Sequence, residues 1–108
     1  MANYKFLVYT NPVAGREEEF NQWYDTQHLG DILSIDAVKA AQRFRRATQP
    51  ASAKADYEYL TVYDVDTEDP AEVLAEIGKR TKDRISEALD RGQPGLMWFT
   101  EVGERRTS

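Results

Sequence analysis

The segment VKAAQRFRRA, Val38–Ala47, decides the fold. Ala, Gln, Lys and Arg are good helix formers, so propensity alone reads it as helix. In context the strand reading is preferred. Alternation then puts Val38, Ala40, Gln42, Phe44 and Arg46 on one face and Lys39, Ala41, Arg43 and Arg45 on the other. A polar loop, TQPASAKAD, follows, and then YEYLTVYDV, Tyr57–Val65, whose aromatic and β-branched residues make it the clearest strand of the chain.

With that segment as a strand, the other elements fall into order. Tyr4 to Thr10 is β-branched and aromatic and stops at Asn11-Pro12, which cannot continue a ladder. Glu17, Glu18 and Glu19 then open a helix whose first turn suits negative charge. On it, Phe20, Trp23, Tyr24, Gln27 and His28 recur at helical spacing, and Gly30 interrupts the pattern before a short extra turn, DILSI. Pro70 suits the first turn of a second helix, capped by Thr67 or Asp69. Its apolar stripe is Val73, Leu74, Ile77, Ile85 and Leu89, and it ends at Arg91-Gly92-Gln93-Pro94-Gly95. Leu96 to Val102 is the last strand, and residues 103–108 form a loose tail. The order β-α-β-β-α-β predicts an α+β, ferredoxin-like domain: a four-stranded antiparallel sheet with both helices on one face.

Strands 1 and 4 are apolar on both sides, Phe6 and Val8 against Leu7 and Tyr9, and Met97 and Phe99 against Leu96 and Trp98. A sheet with one face in water alternates more sharply. The expectation is a homodimer whose two sheets face each other and enclose a barrel-like cavity.

Composition narrows the function. A chain of 108 residues is a single small domain, and 41% hydrophobic residues with a mean hydropathy of -0.69 supply a lean core. The net charge of -5 argues against a nucleic-acid surface, which needs clustered Lys and Arg. No cysteine means no disulfide and no thiol nucleophile. No segment reads as a secretory signal or a membrane span, so a soluble cytoplasmic protein is expected. One histidine and scattered carboxylates have no metal-ligand spacing, and phosphate-loop, dinucleotide and serine-hydrolase motifs are missing. Neither a metal nor a cofactor is expected.

The run F-x-x-W-Y-x-x-x-H, Phe20–His28, followed by Leu29-x-Asp31-Ile32 and preceded by Asn11-Pro12-x-x-Gly15, resembles the EthD-like branch of the dimeric α+β barrel superfamily. The AQRF of the second strand adds to the likeness, while Gly30 stands where such proteins often carry proline. The resemblance implies a dimeric α+β barrel acting on aromatic, polyketide-like or lactone small molecules. It also implies cofactor-free chemistry of the cyclase, dehydratase, isomerase or quinol monooxygenase kind, although some members have no known reaction. Tyr24 and His28 match the aromatic and the histidine of the EthD pattern.

The residues themselves support acid-base chemistry. Tyr24 and His28 are i,i+4 neighbours on a helix, and Asp25 and Asp31 flank the imidazole. Either carboxylate, accepting from one ring nitrogen, would favour the charged ring and leave the other nitrogen free. His28 would then move a proton while Tyr24 donates a hydrogen bond to a developing enolate. Trp23, Tyr9, Phe44 and Trp98 are candidate aromatic walls for a substrate, and Arg43 a candidate anchor for a carboxylate or phenolate. Other readings stay open: a histidine that caps its helix, aromatics that belong to the core, arginines on a solvated edge or in a dimer salt bridge. A non-catalytic small-molecule binding protein would use the same cavity.

Overall fold

A computed structural model of the chain describes residues 3–47, 56–92 and 95–108. Strands β1 (Asn3–Thr10), β2 (Val38–Arg45), β3 (Tyr59–Asp66) and β4 (Gly95–Thr100) form one sheet in the order β2-β3-β1-β4. All three pairings are antiparallel. Helix α1 (Glu17–Trp23) passes through a π-helical turn, Tyr24–His28, into α2 (Leu29–Leu33), and α3 (Pro70–Thr81) precedes β4. This is the ferredoxin-like α+β fold expected from the sequence. The loop expected at 48–56, except Asp56, lies outside the described residues, as do Gln93 and Pro94.

The sheet has two unlike faces. In β3, Tyr59, Thr61, Tyr63 and Val65 are buried while Leu60, Val62 and Asp64 are half-covered, the alternation of a strand backed on one side. Phe6, Tyr63, Val65 and Val38 pack against Ile32, Ile35 and Val73 from the helical layer. A second cluster joins Phe20, Tyr24, Tyr59 and Ala88. Trp98 stacks on Phe6 at 4.3 Å between ring centroids, so it belongs to the sheet-helix core. The opposite face carries Leu7, Tyr9, Phe44, Leu60, Val62, Met97 and Phe99, and none of the described elements lies over it. Phe44, Met97 and Phe99 are 43–49% exposed.

Three local expectations change. The alternation read for β2 breaks at its start, because a register shift between Val38 and Ala40 puts an extra residue in the strand. Val38 therefore shares the helix-covered face with Ala41 and Arg43, opposite Ala40, Gln42 and Phe44. The first helix is not interrupted at Gly30, which has open space about it and ordinary helical surroundings as the helix runs on to Leu33. The second helix stops at Thr81 rather than after Leu89. The Thr81 hydroxyl donates back to the Ile77 carbonyl at 2.8 Å, a side-chain bond that competes with helix propagation.

Residues 82–92 then form a strap without regular structure. It is laced to the end of β1 by Val13 N donating to the Ala88 carbonyl and Asp90 N to the Asn11 carbonyl. Trp23 Nε1 and Gln27 Nε2 both donate to the Arg84 carbonyl, at 2.9 and 3.0 Å. The strap thus gains its order from contacts rather than from helical hydrogen bonds.

Gly95 opens β4 under close packing: a Cβ there would meet Tyr9 Cβ at 2.9 Å and the Tyr57 ring at 3.1 Å. Gly95→Ala is expected to cost about 1–3 kcal/mol. Gly78→Ala in α3, where a Cβ meets nothing, should instead stabilise by about 0.5–1 kcal/mol. Urea unfolding midpoints of the two variants, moving in opposite directions, check both.

Candidate functional site

The π turn gives the site its geometry. Residues five apart on an α-helix are about 140° apart around the axis, five steps of about 100°, and cannot stack. Here Leu29 N donates to the Tyr24 carbonyl, an i→i+5 bond that widens the turn. Trp23 and His28 consequently stack, with ring centroids 4.4 Å apart and planes 26° from parallel. Tyr24 meets the same imidazole edge-on at 4.8 Å. His28 is held between two aromatic rings that adjoin in sequence.

Both members of the expected pair are buried on the helix-covered face, Tyr24 at 1% and His28 at 9% exposure. They are not on the open face, where a cavity between two sheets would lie. They line a pocket of about 220 Å³ within this chain, walled by Val8 and Thr10 of β1, Leu96 of β4 and Leu89 of the strap, with the exposed Asp90 and Arg91 also lining it. A larger hollow of about 530 Å³, between α1 and residues 83–87, is open to solvent and lined largely by charged and amide side chains.

Several polar atoms buried behind and around the pocket wall lack partners. Tyr24 Oη, His28 Nδ1 and Thr10 Oγ1 are buried without a hydrogen-bond partner, as are Thr61 Oγ1 and Tyr63 Oη on neighbouring β3. Buried polar atoms normally find partners, and one left without costs about 1–3 kcal/mol. The Thr61 and Tyr63 hydroxyls lie near enough to Tyr24 to ease its ionisation, but close no well-formed hydrogen bond with it.

Burial sets the protonation states. It holds the Tyr24 phenol above its ordinary pKa, opposed by Thr61, Tyr63 and the nearby Arg43 charge. Tyr63 is raised as well, again chiefly by burial. Burial likewise pushes His28 down to about 4, with Arg43 adding to the fall and Asp31 opposing it. The imidazole is therefore neutral at neutral pH, where flanking carboxylates had suggested a charged ring.

Neither carboxylate accepts from that ring. Asp25 accepts from Arg43 Nη1 at 2.8 Å, and Asp31 accepts from Arg84 Nε at 2.8 Å. Arg43, expected as a substrate anchor, gives its other Nη to Asn21 and lies over the Tyr24 ring, Cζ to centroid 4.3 Å. Among the candidate walls, Trp23 backs His28, Trp98 sits in the core, and Tyr9 and Phe44 belong to the open face. Tyr9 also reaches the pocket rim beside Val8. The structure brings together Tyr24, His28 and Trp23, and adds Thr10, Thr61 and Tyr63, which sequence reasoning missed. Their signal was a run of hydroxyl-bearing residues, Tyr59, Thr61 and Tyr63, in the buried phase of an otherwise apolar strand. Among the described residues no group of His, Asp and Glu could hold a metal ion.

No protein-family model matches the chain, and no curated protein matches it significantly. Solved structures do. A proposed antibiotic biosynthesis monooxygenase from Bordetella bronchiseptica aligns at TM-score 0.66 and 17% identity, covering 94% of this chain and 99% of that one. An ethyl tert-butyl ether D (EthD) family protein from Bacillus halodurans aligns at 0.60 and 16%, covering 94% and 100%. A dimeric ferredoxin-like protein of unknown function from Thermobifida fusca aligns at 0.56 and 12%, covering 93% and 92%. The chain has the fold of the dimeric α+β barrel superfamily, whose EthD-like branch is among these neighbours. No helix among the described residues is long and apolar enough to cross a membrane.

Proposed function

We propose that the chain is a small cofactor-independent enzyme acting by proton transfer on a cyclic small molecule held in the Tyr24–His28 pocket. The observation that carries this reading is a pair of buried, unpartnered proton-handling groups on the wall of a largely apolar pocket. His28, neutral at working pH, accepts a proton from a carbon or oxygen acid; Tyr24, held as a phenol, donates a hydrogen bond to the oxygen where charge develops. Return of the proton to a different atom completes an isomerase, cyclase or dehydratase type of step. A base whose conjugate acid has a pKa of about 4 is weak. Its substrate must therefore already be acidified by a carbonyl or an aromatic ring.

The neighbouring proposed monooxygenase keeps oxygen chemistry as the second reading of the same pocket. Proton exchange separates the two. In heavy water, a panel of single-ring enols, phenols and lactones should exchange an activated proton in the presence of the chain. His28→Gln should slow this by 10²-fold or more, the scale of positioned acid-base catalysis. Unchanged exchange in that variant would remove the claim, and oxygen uptake with an electron-rich phenol would favour the monooxygenase.

The uncovered sheet face is the second part of the proposal: two copies pair through it as a homodimer. A contiguous apolar surface of this kind supports burial against another chain, and the Thermobifida fusca neighbour is dimeric.

A further inference from the structure

Resting on the proton-transfer reading above, we propose that Arg43 is a positioning residue for the Tyr24–His28 pair: it holds a permanent positive charge over the Tyr24 ring, outside the pocket, and acts on both groups without touching the ligand. Strand β2 presents Arg43 on the helix-covered face, where its side chain is 12% exposed. Its Cζ lies 4.3, 5.2 and 5.5 Å from the ring centroids of Tyr24, Tyr59 and Phe20. One Nη donates to Asp25 and the other to Asn21, a turn apart on the helical segment that carries Tyr24, while Nε is buried without a partner. Asn21 is fixed in turn, donating to Tyr59 Oη at 3.0 Å. A guanidinium keeps its charge at every working pH, and these contacts keep it in place. It does not line the pocket.

Distance and dielectric set the size of the effect. The Tyr24 ring meets the imidazole at 4.8 Å between centroids. Arg43 Cζ is therefore within about 9 Å of the His28 ring, and at an effective dielectric of about 20 a unit charge at that range displaces a titration by about one pH unit. Asp25, paired with the guanidinium, cancels part of this. The sign suits both roles. The cation opposes charging of the imidazole and eases ionisation of the phenol, so His28 stays a free base and Tyr24 becomes a stronger hydrogen-bond donor. Other charges near the ring are Asp31 of α2, paired with Arg84 of the strap, and the exposed Asp90 and Arg91. From β1, β3 and β4 come apolar and hydroxyl-bearing side chains: Val8, Tyr9, Thr10, Thr61, Tyr63 and Leu96.

The chain holds one histidine, so its Cε1–H resonance identifies itself in an NMR titration. The midpoint is measured in the chain, in Arg43→Gln and in Arg43→Lys; both variants lose the guanidinium fork, and the lysine keeps the charge. Arg43→Gln should raise the midpoint from about 4 by about half a pH unit or more, and Arg43→Lys should move it less than half as far. The acid limb of any proton exchange should rise with it. A smaller rise in Arg43→Gln would mean that the charge is not felt, and a lysine shift half as large or more would mean that lost packing frees the ring. Either overturns the proposal. Should Arg43→Gln not fold, Asp25→Asn, at an exposed carboxylate, gives the reading with opposite sign: unmasking the cation lowers the midpoint, and a rise or no change overturns the proposal. The expected midpoints with unchanged proton exchange in His28→Gln would uphold the action of Arg43 on the pair while removing the catalytic reading.

Discussion

Acidification from pH 6.5 to about 4 is expected to cost the folded chain on the order of 3 kcal/mol through His28 alone. The ring's ordinary pKa is 6.5, and burial lowers it to about 4 in the fold. Between those values the unfolded chain binds the proton and the folded chain does not. The stabilisation is therefore fully present above pH 6.5 and is lost as the pH falls through the folded pKa. A gap of about 2.5 pH units at about 1.4 kcal/mol each gives the magnitude. Other carboxylates titrate in the same range, so the measurement has to be a comparison. Urea unfolding of the chain and of His28→Gln at pH 7.5, 5.5 and 4.5 isolates the ring, because the sequence holds one histidine. The variant should show the shallower loss. Parallel curves would mean that the ring is not buried neutral. Any proton-transfer activity should likewise keep its acid limb near pH 4 to 5 rather than near 6.5.

Replacing Phe44 and Phe99 together by Glu is expected to convert a dimer to a single 12.4 kDa chain. Both rings stand on the uncovered sheet face, on β2 and β4, with Phe44 44% and Phe99 49% exposed in the protomer. Burying each against a second copy contributes about 1.5–3 kcal/mol, and a desolvated carboxylate in its place reverses the sign. Sedimentation equilibrium at tens of micromolar reads the outcome; a wild-type chain of 12.4 kDa would end the homodimer proposal. The double variant should keep its far-ultraviolet spectrum and its proton-exchange activity, since Tyr24 and His28 lie on the opposite side of the sheet. Assembly and proton exchange are expected to be separable.

The strands were legible because their signals are local. In β3 the alternation of Tyr59, Thr61, Tyr63 and Val65 with half-exposed partners follows the pleat, and Asn11-Pro12 closes β1. The phase of β2 was not legible, because a bulge adds one residue without changing composition. Nor was the stop of α3 at Thr81. Ile85 and Leu89 continue an apolar rhythm, but the strap that carries them bonds to Asn11, Val13, Trp23 and Gln27, all distant in sequence.

The candidate site divides the same way. The Tyr24–His28 pair follows from i,i+4 spacing, and the structure keeps it. The fate of Asp25 and Asp31 depends on Arg43 and Arg84, 18 and 53 residues away, so proximity in sequence misassigned both carboxylates. Thr61 and Tyr63 come beside Tyr24, and Thr10 to the pocket wall, only once β1 and β3 pair in register, with Val8 opposite Thr61 and Phe6 opposite Tyr63.

The π turn at Tyr24–His28 can also be viewed as one residue more than a regular helix needs for its span. Shortening the segment by one residue would let the hydrogen bonds close in ordinary α fashion, and would turn everything on its N-terminal side by about 100° relative to His28. Phe20 would leave the cluster it shares with Tyr59 and Ala88, and Trp23 would leave the imidazole face. Length polymorphism, more than substitution, is thus the sequence change to which this pocket is most sensitive: relatives that keep the tyrosine and histidine but lack the extra residue would carry the letters of the motif without its stacked geometry.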